Sequence, residues 1–257
     1  MKPKAAILYG YGINCDHETQ YGFELAGADA RRIHINQLIE NPAILGDHQI
    51  LAVPGGFSFG DDLGAGKVLA LKLKYRLGDS LNAFLNNGKL AIGICNGFQV
   101  LVKLGILPGL APNKQEATLT NNDNGRFQDR WINLRVNQAI PCVWTKGIDR
   151  IFLPIRHGEG KFAAEDSVLA EVLRLNLAVL QYCDPDGHLK GYPHNPNGSA
   201  ANIAGVCDPT GRVFGMMPHP EGFMFAEQDP FWTRRGLREP QGRQIFKNAV
   251  DFALTSL

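Results

Sequence analysis

The sequence predicts an α/β fold: a mostly parallel sheet with helices on both faces and a few added antiparallel strands. Short, continuously apolar runs alternate with amphipathic stretches through the first hundred or so residues. This pattern is typical of parallel strands that are buried on both sides. The apolar runs lead into glycine-containing turns, as expected for strands that precede crossover helices. From about residue 118 the segments become shorter and more polar, which indicates the antiparallel additions.

Three apolar runs in the first half are predicted to be buried strands: Ala5–Tyr9, Gln49–Val53 and Leu90–Ile92. A helix is predicted ahead of the third run, with Gly88 as its C-terminal stop. Four apolar residues carry its helical spacing: Leu77, Leu81, Phe84 and Leu85.

The second half contains two segments, Arg130–Val136 and Asp149–Ile155, that we interpret as the antiparallel strands, followed by an apolar strand at Arg212–Met216. A final helix is predicted after Pro240, because an apolar stripe at helical spacing follows it and should dock on the sheet. The stripe consists of Ile245, Phe246, Ala249, Val250, Ala253, Leu254 and Leu257. We find no repeat, low-complexity tract or linker, so residues 1–257 are interpreted as a single domain.

Composition narrows the possible function. The chain has 257 residues, 44% hydrophobic and 20% charged, which is enough for one large core. A formal net charge of +1 gives no reason to expect nucleic acid or an anionic membrane as a partner. No apolar run reaches the roughly 18 residues of a membrane span, and no signal segment is seen. Five scattered cysteines without C-x-x-C spacing predict no metal site or disulfide framework, and they favour the cytoplasm.

The most informative segment is Leu90–Leu101, where a buried strand runs into Gly-x-Cys-x-Gly and an amphipathic helix follows. This is the strand–turn–helix context of a nucleophile elbow. Glycines at 93 and 97 relieve the crowding of a sharp turn, and the Cys95 thiol would lie at a helix N-terminus that favours thiolate. A buried core cysteine is the alternative, and the elbow favours a nucleophile.

A base and its orienting residue are predicted in Met217–Glu221, directly after the strand at 212–216. Prolines on both sides hold His219 extended, and in extended chain residues i and i+2 point the same way. Glu221 could then bind one imidazole nitrogen while the other faces a thiol. With Cys95 this gives a candidate triad of nucleophile, base and orienting group. A surface His–Glu pair is the alternative if Cys95 is not involved.

A second glycine-rich turn, Pro54–Asp62, follows the strand at 49–53 and should reach the same edge of the sheet. The backbone N–H groups of Gly56 and Asn96 would form a two-donor oxyanion hole there. A plain turn or a phosphate cradle are the competing interpretations. A P-loop is disfavoured because no Gly-Lys-Ser/Thr follows the turn.

Together these motifs resemble the class I, or triad, glutamine amidotransferases, which have a flavodoxin-like fold. The resemblance covers nearly the whole chain. It is closest to one branch, the glutaminase subunits or domains of phosphoribosylformylglycinamidine synthase. The segments that carry it, in family order, are Pro54–Asp61, Gly93–Gln99, His157–Gly160, Asn195–Ser199 and Pro218–Glu221.

The resemblance implies that Cys95 attacks the side-chain amide of glutamine, that Gly56 and Asn96 stabilise the oxyanion, and that His219, held by Glu221, transfers protons. Gln99 is expected to help hold the substrate, with a helix-capping or surface amide as the alternative. Four weaker site candidates are His157, Glu159, Asn197 and Ser199. Turn formation or partner contacts would explain these four equally well.

The resemblance also implies that ammonia passes to a synthetase subunit, possibly joined by a small third subunit. That partner would use ATP and magnesium to convert formylglycinamide ribonucleotide to formylglycinamidine ribonucleotide in purine synthesis. No cofactor is expected on this chain. The competing functions are a stand-alone γ-glutamyl or cysteine hydrolase and a non-catalytic regulatory subunit. Asn96 in place of a histidine after the nucleophile, and the presence of all three triad residues, count against them.

Overall fold

A computed structural model describes residues 2–140 and 142–257 of the chain. Its strands are β1 (Lys4–Tyr9), β2 (Asp29–His34), β3 (Ile50–Val53), β4 (Leu90–Ile94), β5 (Ala117–Thr120), β6 (Gln128–Val136), β7 (Arg150–His157), β8 (Lys161–Ala164), β9 (Leu180–Cys183), β10 (Ile203–Cys207) and β11 (Val213–Met216). The helices are α1 (Asp16–Leu25), α2 (Ile35–Glu40), α3 (Lys67–Asn86), α4 (Asn96–Lys103), α5 (Asp166–Arg174), α6 (Trp232–Arg235) and α7 (Arg243–Ser256).

The parallel half of the main sheet has the strand order β2-β1-β3-β4-β11, and each neighbouring pair is parallel. Every residue of β3 and β4 is buried, so the sheet is covered on both faces at its centre. α1 contacts β1 and β2, while α4 contacts β3, β4 and β11. The predicted α/β class is confirmed, and the three apolar runs of the first half are β1, β3 and β4.

The antiparallel half continues the same sheet from β11 through β10, β9, β6 and β7. β5 and β8 form a separate antiparallel pair. The two predicted antiparallel strands are β6 and β7, and both are longer than the sequence suggested. Five strands were not predicted: β2, β5, β8, β9 and β10. β9 and β10 are only 4 and 5 residues long and owe their place to pairing with distant strands.

The predicted helix before β4 is α3, which begins at Lys67, well ahead of the apolar residues that predicted it. Leu77, Leu81 and Phe84 are buried, as their spacing predicts. The chain leaves the helix through Gly88, whose φ of +75° is a conformation that glycine adopts without strain. Among the described residues, no helix combines the length and the apolar character needed to cross a membrane.

Strand direction is what assembles the site. β1, β3, β4 and β11 are parallel, so their carboxyl ends meet at one edge of the sheet. The loops that leave these ends bring together Cys15, Gly55, Cys95 and His219.

The C-terminal helix α7 packs its apolar stripe onto the core. Phe246 is fully buried, with its ring centroid 4.9 Å from that of Phe23 on α1. The stripe is shorter than predicted: Leu254 is 56% exposed and Leu257 is 48% exposed. The helix runs past the edge of the packed core at this end, so its last apolar residues face solvent.

This packing predicts that two alanine substitutions on the same helix change the free energy of unfolding by very different amounts. Phe246→Ala should lower the free energy of unfolding by about 3–5 kcal/mol, because it leaves a cavity against Phe23. Leu254→Ala, the matched control on the exposed end, should change it by less than about 0.5 kcal/mol. Urea denaturation followed by circular dichroism measures both. Equal losses for the two variants would contradict the docking described here.

Candidate active site

The turn between β4 and α4 has the predicted strand–turn–helix geometry. Cys95 has φ +51° and ψ −107°, a strained conformation for a residue with a side chain. Its own N–H donates to the carbonyl of Met216 on β11, 2.7 Å away. A side chain at Gly97 would collide with the backbone carbonyl of Val53, so only glycine fits there. The neighbouring strands therefore hold Cys95 in its strained state.

The thiol of Cys95 is buried within the site, and the residue is only 5% exposed. Its Sγ lies 3.6 Å from the carbonyl oxygen of Arg156, to which the thiol donates. Arg156 belongs to β7, so the antiparallel half of the sheet also borders the nucleophile candidate.

His219 and Glu221 form a buried pair on the loop after β11. His219 Nδ1 donates to Glu221 Oε1 at 2.5 Å, and both side chains are buried. The predicted contact between the two side chains is present and His219 itself is extended, but the chain does not stay extended as far as Glu221. Pro220–Gly222 form a 3-10 turn, which brings the carboxylate back under the imidazole. The backbone N–H of His219 donates to Pro154 O at 2.9 Å and fixes the loop.

The charge state of His219 is set by opposing effects. Burial lowers the pKa of the imidazole, but Glu221 and the thiols of Cys95 and Cys15 raise it, and the pKa ends well above its ordinary value. In the described part of the chain, its second nitrogen, Nε2, has no hydrogen-bond partner. The ring is therefore oriented at Nδ1 and available at Nε2.

Gly55 marks where the side chains converge. An atom at its missing Cβ position would lie 2.9 Å from His219 Cε1 and 3.4 Å from Cys95 Cβ. It would also lie 3.3 Å from the sulfur of Cys15. Any larger residue at position 55 would collide with the imidazole of His219.

The two predicted oxyanion donors are at the ends of neighbouring elements. Gly56 has φ +144°, and a Cβ there would lie 2.6 Å from the carbonyl of Gly12. The loop is held by hydrogen bonds from Phe57 N–H to Gly12 O (2.8 Å) and from Asn14 N–H to Gly55 O (3.2 Å). Within the described ranges, neither the N–H of Gly56 nor that of Asn96 donates to a protein acceptor.

The side chain of Asn96 ties this loop to the elbow helix. Its Oδ1 accepts from Ser58 N–H at 3.2 Å, and its Nδ2 donates to Asp61 Oδ1 at 3.0 Å and to Gln99 Oε1 at 2.9 Å. Gln99 Nε2 in turn donates to the carbonyl of Glu159 at 2.6 Å. Gln99 is thus buried and bonded at both ends of its amide, and the helix-capping and surface alternatives for it are wrong.

The four weaker candidates lie around the turn between β7 and β8. His157 Nδ1 contacts Asn122 Oδ1 at 3.1 Å. Burial, and to a smaller extent the charge of His219, lower the pKa of His157 to about 3. Glu159 Oε2 accepts from Ala65 N–H at 3.1 Å.

Asn197 and Ser199 hold the same turn from the loop before β10. Asn197 Nδ2 donates to Gly160 O at 2.8 Å, and Ser199 Oγ accepts from Phe162 N–H at 2.9 Å. These contacts make the two residues part of the framework that supports Gly160, with hydrogen bonds to backbone rather than to the thiol or the imidazole.

Cys15 is the site residue that the sequence analysis missed. It ends the loop after β1 and is partly exposed, and its sulfur donates to Asn14 Oδ1 at 3.3 Å. Burial raises the pKa of its thiol, and the nearby His219 lowers it, with a net increase. The available signal was the position of the Gly10–Asp16 segment after a parallel strand, at the same edge as the elbow.

Comparison with known proteins gives a consistent family. Residues 2–253 match the CobB/CobQ-like glutamine amidotransferase domain. The chain is 50% identical over 254 residues to phosphoribosylformylglycinamidine synthase subunit PurQ of Dehalococcoides mccartyi, covering 98% of each chain. It is 42% identical over 265 residues to the subunit of the same name from Methanococcus maripaludis strain C7, covering 97% of each. The solved structure of PurLQS from Thermotoga maritima matches with a TM-score of 0.75 at 29% identity, over 98% of this chain and 99% of that one.

The buried His219–Glu221 pair predicts a pH-dependent effect of Glu221→Gln on stability. A raised pKa stabilises the fold fully below the ordinary histidine value and loses this contribution as pH rises through the raised pKa. Without the carboxylate, burial lowers the pKa and charging His219 becomes unfavourable. The variant should therefore lose more unfolding free energy at about pH 6 than at about pH 9.

Urea denaturation at both pH values measures this difference. Glu227→Gln, which changes an exposed carboxylate of the following segment, is the matched control and should show little loss at either pH. A loss in Glu221→Gln that does not vary with pH would show that the carboxylate does not control the charge of His219.

Proposed function

The chain belongs to the CobB/CobQ-like glutamine amidotransferase family, and from this premise we propose that it hydrolyses glutamine with a Cys95–His219–Glu221 triad. It is a glutaminase subunit of the phosphoribosylformylglycinamidine synthase type, as its relatives are. The observation that carries the triad is that Cys95, on its strained backbone, and the oriented imidazole of His219 both lie within 3.4 Å of the Cβ position of Gly55.

In the proposed reaction the Cys95 thiolate attacks the side-chain amide carbon of glutamine. The oxyanion that forms is stabilised by the N–H groups of Gly56 and Asn96, where the loss of one donor would cost about 3 kcal/mol of barrier. Protonated His219 gives its proton to the leaving nitrogen, which departs as ammonia and leaves a γ-glutamyl thioester. Neutral His219 then takes a proton from water, hydroxide adds to the thioester, and glutamate and the free thiol are released.

Gln99 is proposed to position the substrate together with the turn that contains Glu159. Its amide links the elbow helix to the carbonyl of Glu159, so the two elements that border the cleft keep a fixed spacing. His157, Asn197 and Ser199 are proposed to support this turn rather than to contact glutamine. Their hydrogen bonds go to the turn, to β8, to Asn122 and to the Tyr182 hydroxyl.

Ammonia must reach an acceptor before it is protonated by water, which requires a partner that encloses it. The chain works with a synthetase subunit, as the Thermotoga PurLQS assembly indicates. We assign ATP and magnesium to that partner, which aminates formylglycinamide ribonucleotide to formylglycinamidine ribonucleotide. We also propose that a small third subunit joins the complex.

Two further assignments accompany the function. Residues 1–257 are proposed to be one domain, because one nine-stranded sheet contains strands from both halves of the chain and α7 packs back onto α1. The cytoplasm is the proposed compartment, in keeping with the five free cysteines.

Replacing Cys95 by alanine tests the nucleophile. Glutamate release from glutamine should fall by at least about 10³-fold, because no other group is oriented by the elbow. Cys183→Ala is the matched control: it removes a buried thiol on β9 and should leave turnover close to wild type. Turnover that survives Cys95→Ala would exclude Cys95 as the nucleophile.

Adding the synthetase tests the coupling. Glutamate release by the isolated wild-type chain should be weak and should rise many-fold with the synthetase, the small subunit, ATP and the ribonucleotide acceptor. The measurement is a coupled assay of glutamate and ammonia under each combination. Equal turnover with and without the partners would favour a stand-alone hydrolase instead.

A further inference from the structure

Three charged side chains cluster beside the proposed active site, and their charges have no part in the reaction described above. Asp61 comes from the loop after β3, Lys103 is the last residue of α4, and Glu159 belongs to the turn between β7 and β8. All three residues are partly exposed. Because each comes from a different element that borders the cleft, their contacts fix how those elements lie against one another.

The cluster meets the backbone of one buried residue, Ala65. Its N–H donates to Glu159 Oε2 at 3.1 Å, and its carbonyl accepts from the ammonium of Lys103. Ala65 is 1% exposed, so both backbone groups need partners within the protein. Among the described residues, no other group donates to this carbonyl. One residue of the loop is therefore held by opposite charges from two different elements.

The loop that contains Ala65 has a strained backbone. Phe59, Asp61 and Leu63 have φ values of +54°, +55° and +60°, which are unfavourable for residues with a side chain. Such conformations persist only where the surroundings impose them. The loop therefore depends on contacts from outside, and Ala65 receives two of these.

The turns of this loop are joined by hydrogen bonds of their own. Gly60 N–H donates to Phe57 O and Gly64 N–H donates to Asp61 O, each at 2.9 Å. Turns that are bonded in this way move together. The position of the far end of the loop thus affects its beginning, where Gly56 carries a proposed oxyanion donor.

The charge of Lys103 balances two carboxylates at this point. Burial raises the pKa of Asp61, and the charge of Glu159 adds to the increase. Burial lowers the pKa of Lys103, whereas Glu159 and Asp61 oppose that change. A Cβ at Gly64 would lie 3.7 Å from Lys103 Nζ and 4.0 Å from Glu159 Oε2, so the loop passes close to both charges. Without the ammonium, the two acids would repel each other where the loop meets the turn.

We propose that Lys103 is a positioning residue for glutamine hydrolysis: it holds Ala65 against α4 and so keeps the N–H of Gly56 in place for the oxyanion. Lys103 acts through the loop rather than on glutamine. It contributes a hydrogen bond to the Ala65 carbonyl and a positive charge beside Asp61 and Glu159. The catalytic part rests on the proposed function, because it requires Gly56 to stabilise the oxyanion.

Three substitutions of Lys103 separate the hydrogen bond from the charge, with glutamate release measured in the complex with the synthetase, ATP and acceptor. Lys103→Arg keeps both and should keep kcat within about threefold of wild type. Lys103→Gln keeps only a donor and should lose at least about threefold, and Lys103→Met keeps neither and should lose at least about tenfold. KM for glutamine should change by less than about threefold, because the oxyanion forms only in the transition state.

Hydrogen–deuterium exchange of the full chain tests the loop without any turnover. Peptides that cover residues 57–66 should exchange faster in Lys103→Met than in wild type, and at the wild-type rate in Lys103→Arg. Lys114→Met, which removes an exposed lysine from the loop after α4, is the control and should match wild type in exchange and in kcat. Urea denaturation gives the folded fraction, by which each kcat is divided, and Lys103→Gln replaces Lys103→Met if the latter does not fold.

Two results would overturn the proposal: loop exchange in Lys103→Met equal to that of wild type, or faster exchange with an unchanged kcat per folded chain. A kcat in Lys103→Arg as low as in Lys103→Met would also contradict it, since the arginine keeps both contributions. A wild type without glutaminase activity would reject the proposed function, whereas the exchange measurement would still decide whether Lys103 holds the loop.

Discussion

The strained backbone at Cys95 is the constraint on which the rest of the site depends. A residue with a side chain adopts φ +51° only if its surroundings impose that conformation. Here β11 binds the N–H of Cys95 through Met216, and the close approach of Gly97 to β3 holds the first turn of α4 against the sheet. Both contacts come from strands that neighbour β4, so the elbow exists only within the assembled parallel sheet.

Around Cys95, the proposed catalytic groups come from the ends of three different strands. The loop after β3 carries Gly56, the elbow carries Cys95 and Asn96, and the loop after β11 carries His219. The amide of Asn96 joins two of these loops through Ser58 and Asp61. Polar bonds between loops limit how far their relative positions can drift, which is what a reaction with three aligned groups requires.

Local pattern was enough to predict the central strands, the elbow and the residues of the candidate triad. The segment Leu90–Gly97 contains the glycines that its sharp turn requires. In Pro218–Glu221, the two prolines restrict the backbone on both sides of His219. What the pattern could not give depends on distant pairing. β10 is a strand because β9 and β11 flank it, and Cys15 reaches the site only because β1 pairs with β3. The His219–Glu221 contact was predicted, but the 3-10 turn that forms it lies in a loop held by the carbonyl of Pro154 on β7. The exposed end of α7 likewise depends on where the core stops.

The unequal accessibility of the two thiols at the site affects how chemical probes report on it. Cys95 is 5% exposed beneath the loops, whereas Cys15 is partly open to solvent at the same opening. A bulky alkylating reagent meets the more exposed Cys15 first, and the adduct would lie close to His219 and Cys95. Loss of activity after alkylation therefore does not identify the modified sulfur, and peptide mapping is needed to tell blockage of the entrance from capture of the nucleophile.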